Sequence, residues 1–515
     1  MPRTTLALTS FVSGEFSAKM DGRTDFDKYT SGVKTMENFL VHPQGSATRR
    51  VGTQHIAEVK DSTKKTRLIP FEFSTTQTYI LEFGDQYMRV YKDKGQVLSG
   101  GSPFEISTPF LEAELFDIKF AQSADVMYLC HPNHDVRKLS RTGHTSWTLA
   151  TVSFTGSPSL PISGANNRPS CVSFFEQRLV FANTITNPQT LWFSKAGDYE
   201  NFTTGTNADD AMIYTIASNQ VNAIQYLKAV RTLVVGTSGG EFTVSADGTD
   251  ASITPTNVTI KRQSSFGSAG VDAIPAGNAV LFLQKAKRKI RELAYNFDSD
   301  GYVAPDLTIL NDTVTKSGVN QMIFQQEPDS IIWCVRDDGV LAGLTYQRSE
   351  NVVAWHRHIF GGAFGSGNSV CESAASISGT LTEDELWVIV KRTINGATKR
   401  YVECFSDFDF DETTATDFKF LDSHLNYSGS ATTTLSGLSH LEGQTVSILA
   451  DGSVHANKTV SSGSITLDRS VTKACVGLAY DSVLQTMRIE GGAAEGTSQG
   501  KTKRISKVVL RLFET

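Results

Sequence analysis

The chain has 515 residues, 39% of them hydrophobic and 20% charged, with a net charge of −6 at pH 7. That mild acidity argues against a tight nucleic-acid binder, which needs a Lys/Arg-rich face to displace counterions from phosphates. No apolar run approaches the ~18 residues of a membrane-spanning helix, and the opening MPRTTLALTS is too weakly apolar for a secretory signal, so a soluble chain is expected.

Residues 1–60 hold Gly14, Gly22, Gly32, Gly45, Gly52 and the basic pair Arg49 and Arg50. They read as an irregular N-terminal docking segment. The helical candidates, residues 25–39 and 110–120, are both short. From Tyr79 onward an apolar, β-branched or aromatic run is followed by a polar turn and a second run, seven times over. The runs open near Tyr79, Val126, Leu179, Thr232, Ala279, Ile331 and Leu386, at steps of 47, 53, 53, 47, 52 and 55 residues. A strand-built period of roughly 40–50 residues reads as a radial array, with the β-propeller as leading candidate. The turns are marked by Gly84 with Asp85, Gly239 with Gly240, Asp338 with Gly339 and Asn395 with Gly396, the last two being strong hairpin signals. Residues 61–412 therefore read as an all-β, β-propeller-like body of six or seven hairpin-based blades. An acidic run, SDFDFDE, ends it at 406–412. Residues 413–490, with Asp451-Gly452 and Ser462-Gly463 turns, read as a small β module. Residues 491–515 read as a Gly-rich linker and a closing strand, RISKVVLRLFET, expected to pair with residues 3–16.

The six cysteines, Cys130, Cys171, Cys334, Cys371, Cys404 and Cys475, show no metal or redox spacing and read as buried free thiols suited to a reducing cytoplasm. Several motifs invite chemistry, and each has a plainer reading. In HPNHD, His131, His134 and Asp135 could ligate a metal, but Pro132 and Asn133 make the segment a turn, and no further ligand is identifiable. AWHRHIF places His356 and His358 on one strand face, opposite Trp355 and Arg357. The carboxylates Asp337 and Asp338, Asp209 and Asp210, and Glu383, Asp384 and Glu385 suggest a glycosidase, but sequence cannot place them across a cleft. KAKRKIRE, at 285–292, reads as a solvated hairpin tip; as a strand it would align Lys285, Lys287 and Lys289 on one face. GTSQGKT, at 496–502, lacks the first glycine of a phosphate loop, because Glu495 stands there. No catalytic, cofactor or metal residue is assigned.

Stretches at 13–53 (SGEFSAKMDGRTDFDKYTSGVKTMENFLVHPQGSATRRVGT), 69–97, 331–358, 437–454 and 500–512 together resemble the nozzle family (tail tubular protein B) of short-tailed, podovirus-like bacteriophages. The resemblance implies a homohexamer at the distal end of the tail, around the DNA exit channel. It places an adaptor (tail tubular protein A) ring above and tail fibres nearby, and it implies no catalytic motif. About six blades would be expected from the family, against seven hairpins counted. Six copies would bring roughly −36 to the ring, a like-signed wall past which double-stranded DNA slides without specific binding.

The expectation is therefore a non-enzymatic structural protein of the virion tail, assembled in the cytoplasm of the infected bacterium, which retains and then conducts genomic DNA during ejection. The alternative is a host-receptor-binding or fibre-docking tail protein acting through the 413–490 module at the host cell surface. A tail-borne glycan hydrolase is the third reading.

Overall fold

The computed structural model describes residues 6–156, 162–217, 220–248, 251–379, 383–407, 414–491 and 499–512. Seven sheets, each opening with antiparallel strands, follow one another along the chain. Their first strands are Arg67–Ser74, Lys119–Ser123, Cys171–Phe175, Ile224–Ala229, Ile274–Ala276, Val319–Gln325 and Val370–Ser378, and they open blades 1 to 7. Each of the seven expected hairpin openings falls on or beside the second strand of its blade. These second strands are Gln77–Gly84, Val126–His131, Arg178–Ala182, Leu233–Thr237, Ala279–Leu283, Ile331–Arg336 and Asp384–Ile394.

The hydrophobic core explains why these strands read as unbroken apolar runs. In blade 2, Met127 and Leu129 face blade 1, packing with Phe71 and Leu81, whereas Tyr128 and Cys130 face blade 3, packing with Leu179 and Phe181. A second strand covered on both faces has no solvent side to be polar on. The same sharing recurs between blades 3 and 4, 4 and 5, 5 and 6, and 6 and 7. A further cluster joins Trp387 and Ile389 of blade 7 to Leu68 and Ile80 of blade 1 and closes the ring. The body is an all-β propeller of seven blades. Asn395 and Gly396 turn the blade 7 hairpin with φ of 48° and 75°, the left-handed pair that a tight two-residue turn requires.

Two blades are enlarged by distant segments. Blade 6 ends in Val352–His358, which pairs in parallel with Gly14–Glu15; Gly32–Glu37 and then Val483–Thr486 extend the same sheet. Blade 7 takes its fourth strand, Thr53–Glu58, from the N-terminal region, antiparallel to Ala397–Phe405. That strand continues through one parallel pairing, His424 to Gln54, into the module strands Asp422–Ser436, Ser464–Leu478, Thr445–Ala450 and Ser453–Thr459, making a sheet of eight. The module keeps its own core around Leu441, Val446 and Ile465.

Three expectations are corrected. The N-terminal segment is not irregular, because its strands complete blades 6 and 7. Val483–Thr486, inside the expected 413–490 module, belongs to the blade 6 sheet. Among the described residues the expected closing strand does not form: residues 501–512 carry no strand and lie exposed, and the ring is closed instead by Thr53–Glu58 and the blade 7–blade 1 core. The helical candidates are a 3-10 turn at Asp27–Ser31 leading into a strand, and another at Glu112–Asp117. Of the acidic run only Ser406 and Asp407 lie within the described residues, and of GTSQGKT only residues 499–502 do. Among the described residues no helix is long and apolar enough to cross a membrane.

Candidate functional site

The axis of the ring is the first place to look for a site. Lys119 opens the first strand of blade 2; its Nζ donates to the Gly270 carbonyl at 2.7 Å and pairs with Asp272 at 2.9 Å, on the approach to blade 5. Blades 2 and 5 stand on opposite sides of the ring, so one lysine side chain spans it. Arg67 of blade 1 seals the same end by donating to the carbonyls of Leu115 and Ile118 at 2.8 and 2.7 Å. At the other end Gln122 exchanges hydrogen bonds with the Glu72 backbone at 3.1 and 2.8 Å, and the Ser378 amide donates to the Glu72 carboxylate at 3.1 Å. The Lys119 side chain thus crosses the axis, and the other contacts tie neighbouring blades at the two ends of their first strands. A DNA duplex cannot pass through the disc of one chain.

A shallow cleft opens between blades 6 and 7, lined by Leu40, Ile331, Trp333, Leu386 and Phe405. It gathers Asp329, Glu383, Asp384, Glu385 and Asp407, including the carboxylate run singled out in the sequence. Asp384, Glu385, Asp329 and Asp407 are all engaged by this chain's own donors. Asp384 accepts the amides of Gln326 and Glu327 at 2.8 and 3.1 Å, and Glu385 accepts the Trp387 indole at 2.9 Å. Asp329 meets His42 at 2.9 Å, and Asp407 pairs with Lys94. Burial raises Glu385 above the usual carboxylate range. The other two pairs are turn and loop fasteners. Asp338 holds Arg336 beside Gly339, and Asp209 and Asp210 hold Lys195 at 3.5 and 3.1 Å.

The HPNHD turn gains a third potential ligand that sequence did not reveal. Glu114, on the Glu112–Asp117 turn, lies with His131 and His134 so that the three ligand atoms are within 4.8 Å of one another. Asp135 is elsewhere, paired with Arg168 at 3.0 Å. The Glu114 carboxylate accepts from His134 Nε2 at 2.7 Å, Asn133 Nδ2 at 2.9 Å and the Leu111 amide at 3.0 Å. Burial works against the Glu114 anion, but these donors outweigh it and push its pKa down to about 2. His131 Nδ1 accepts the Asn133 amide at 3.1 Å, which leaves the proton on Nε2, a buried donor with no partner among the described residues. A cation would need that proton removed or that amide displaced, so the arrangement works as a lock between the turn and the 3-10 segment. Zinc in slight excess is expected to shift the melting temperature by less than about 1 °C, measured by differential scanning fluorimetry. A rise of several degrees would make it a metal site.

His356 and His358 are fully buried in blade 6, on the face opposite Arg357, which reaches Glu15 at 2.9 Å. Thr345 Oγ1 donates to the Val41 carbonyl at 2.8 Å and so accepts from His356 Nε2 at 3.2 Å; His356 Nδ1 then accepts from His358 Nε2 at 2.6 Å. Burial pushes His356 down to about 3 and holds His358 well below the ordinary histidine value, so both are neutral structural groups. In KAKRKIRE, residues 285–288 turn between strands and Lys287 has φ of 58°, so no strand face of lysines forms. Lys289 pairs with Asp306 at 3.0 Å.

The densest polar chemistry lies where the N-terminal segment, blade 7 and the module meet. Arg50, with no exposed surface, forms a two-pronged pair with Asp422, equally buried, at 2.8 and 2.6 Å. It also donates to Asn38 Oδ1, the Val51 carbonyl and the Ile359 carbonyl, and its guanidinium lies 3.7 Å from the centre of the Tyr480 ring. Burial opposes the Arg50 charge, but Asp422 outweighs it and raises the Arg50 pKa. Arg49 lies over Phe420 and Tyr480. Of the basic pair expected to dock onto a neighbour, Arg50 is thus an internal clamp, whereas Arg49 remains exposed. Beside it Arg392 and Glu403 form a second fully buried pair, with Thr53 Oγ1 donating to Glu403 at 2.6 Å. His55 stacks on His440 with ring centres 4.0 Å apart. Gly52 passes so close to Leu421 that a Cβ there would overlap the Leu421 carbonyl oxygen. Gly52→Val is expected to cost about 3 kcal/mol by forcing the two segments apart, read as a lowered urea midpoint. An unchanged midpoint would mean that the seam yields.

Comparisons with known proteins leave the family open. No family model and no curated protein matches the sequence. Among solved structures, the β-propeller domain of Cps50 (Swd1) from Myceliophteria thermophila aligns at 9% identity with a TM-score of 0.41, covering 69% of this chain and all of that one. The WD40 domain of Pan2 from Neurospora crassa aligns at 9% identity with a TM-score of 0.40, covering 70% of this chain and 96% of that one.

Proposed function

We propose that this chain is a structural ring subunit of a short-tailed bacteriophage tail, a nozzle component that retains and then conducts double-stranded DNA between copies of itself. What carries the reading is the buried seam. It welds the propeller, the N-terminal segment and the C-terminal module into one continuous body, as a load-resisting scaffold requires. The Lys119 side chain across the axis fits as well, since a conduit must then lie among several copies. The family-like stretches supply the tail context, the adaptor ring and the fibres as partners. Native mass spectrometry of the purified chain is expected to show a hexamer, and electron microscopy of virions a ring at the distal tail. An obligate monomer absent from the virion would overturn the proposal.

A second reading, a receptor-binding or fibre-docking role, draws on the module's long ribbon. Asp422–Ser436 is exposed over much of its length beyond the seam, and Val454 stands out into solvent near the edge. Removing the module should then abolish adsorption while tails still assemble; adsorption that persists rules this out.

A further inference from the structure

Residues 503–512, KRISKVVLRL, alternate in the manner of a strand and yet join no sheet among the described residues; Lys503 alone reaches back, to the Ile489 carbonyl at 2.5 Å and Glu490 at 3.9 Å. Ile505, Val508, Val509, Leu510 and Leu512 are each between 66% and 76% exposed. In water such a segment leaves both its apolar side chains and its backbone groups without protein partners, which is the condition under which a chain adds to a foreign sheet edge. It is also basic: Lys503, Arg504, Lys507 and Arg511 stand without a single acidic residue among them, in a chain whose net charge is −6.

The opposite chemistry is displayed on blade 5. Its outer hairpin, Ile290–Asn296 with Gly301–Val303, ends in a tip where Phe297 is 87% exposed and Tyr295 49% exposed. Asp298 and Asp300 flank these rings, and the Tyr295 hydroxyl donates to Asp300 at 2.6 Å. Gly301–Val303 is the last strand of its sheet, so among the described residues one side of its backbone has no ladder partner. The other long outer edge nearby, Val258–Ser264, carries Lys261 and Arg262 and would repel the segment.

We infer that residues 503–512 of one copy add as a strand to the outer edge of blade 5 in a second copy. Their apolar side chains cover Phe297 and Tyr295, and their basic side chains face Asp298 and Asp300. A ten-residue strand reaches about 33 Å, enough to cross between adjacent discs. The donor and acceptor patches are different surfaces of the same chain, so the contact is head-to-tail, the kind that propagates round a ring. The pairing itself does not depend on the ring reading, which it rests on only for the number of copies.

The test joins the two patches covalently. Val509→Cys and Phe297→Cys are made in separate full-length preparations, the six native cysteines being buried. Mild oxidation of the mixture is expected to give a disulfide-linked dimer, and Val454→Cys mixed with Val509→Cys none. No dimer beyond that control overturns the inference, as does a double variant that cross-links only within one chain at every dilution. Native mass spectrometry of a chain lacking residues 503–515 separates this from the ring reading. Loss of the oligomer supports the strand exchange. A hexamer that persists refutes it and leaves the ring reading standing, whereas a full-length monomer that still cross-links at high concentration sinks the ring and keeps the exchange.

Discussion

Arg50→Met is expected to destabilise the protein by about 3–5 kcal/mol, the largest effect of any single substitution considered. The reason is asymmetry: the substitution leaves Asp422 a fully buried carboxylate without its cation, and the cost of stranding that charge exceeds what the pair contributed when intact. Asp422 retains the Gly361 amide at 2.7 Å, which cannot replace a two-pronged guanidinium. The damage should be local at first, with the module strands loosening from Thr53–Glu58 before the blades melt. Limited proteolysis should then release a fragment beginning near residue 414 under conditions where the parent is resistant. Combining Arg50→Met with Asp422→Leu should recover much of the loss, since no charge is left behind. A single variant as resistant as the parent would show that the seam does not hold the module.

Lowering the pH from 7 to 5 is expected to weaken the fold by roughly 2 kcal/mol for each of several buried histidines. Burial depresses His424 and His440 to about 4 and His356 to about 3, and His55 and His358 lie well below the ordinary value. In the unfolded chain these side chains take up a proton near pH 6.5, while in the folded chain they do not. The unfolded state therefore holds more protons throughout the interval, and stability falls as pH drops below about 6.5, continuing towards 4 and 3. The groups facing them deepen the effect: His55 lies against His440 and feels Arg392, and His424 feels Lys419, with Asp422 partly offsetting. Three of the five line the seam, so acid should detach the module first. Melting temperatures recorded from pH 7.5 to 4.5 would show the decline, and a flat profile down to pH 5 would refute this account.

The sequence made the propeller legible because its signal is local. A second strand buried on both faces must be apolar over five or six consecutive residues, and the hairpin that follows must turn within a few more, so the period could be counted. The additions to blades 6 and 7 left no such trace. Gly14–Glu15 and Thr53–Glu58 pair with residues more than 300 positions away, and nothing in their own composition names the partner. The final segment misled for the same physical reason in reverse. Its alternation is truly strand-like, but alternation specifies a strand and not which edge receives it. The charge of Arg49 and Arg50 suggested a surface, whereas the aromatic rings and the carboxylate that bury Arg50 come from residues 360 to 480. Glu114 escaped notice because it lies 17 residues before His131, outside any ligand spacing.

The fourth strand of blade 7 also sets an order of events during synthesis. Thr53–Glu58 leaves the ribosome early, yet its partner Ala397–Phe405 emerges some 350 residues later, a wait of roughly 20–70 s at ordinary elongation rates. Through that interval the early strand carries an unpaired edge while six blades condense beside it, and the last contact to form is also among the most remote along the chain. Nascent chains should therefore depend on holding factors until the seventh blade arrives, and a chain stalled before residue 397 should be captured by them rather than released as a folded disc.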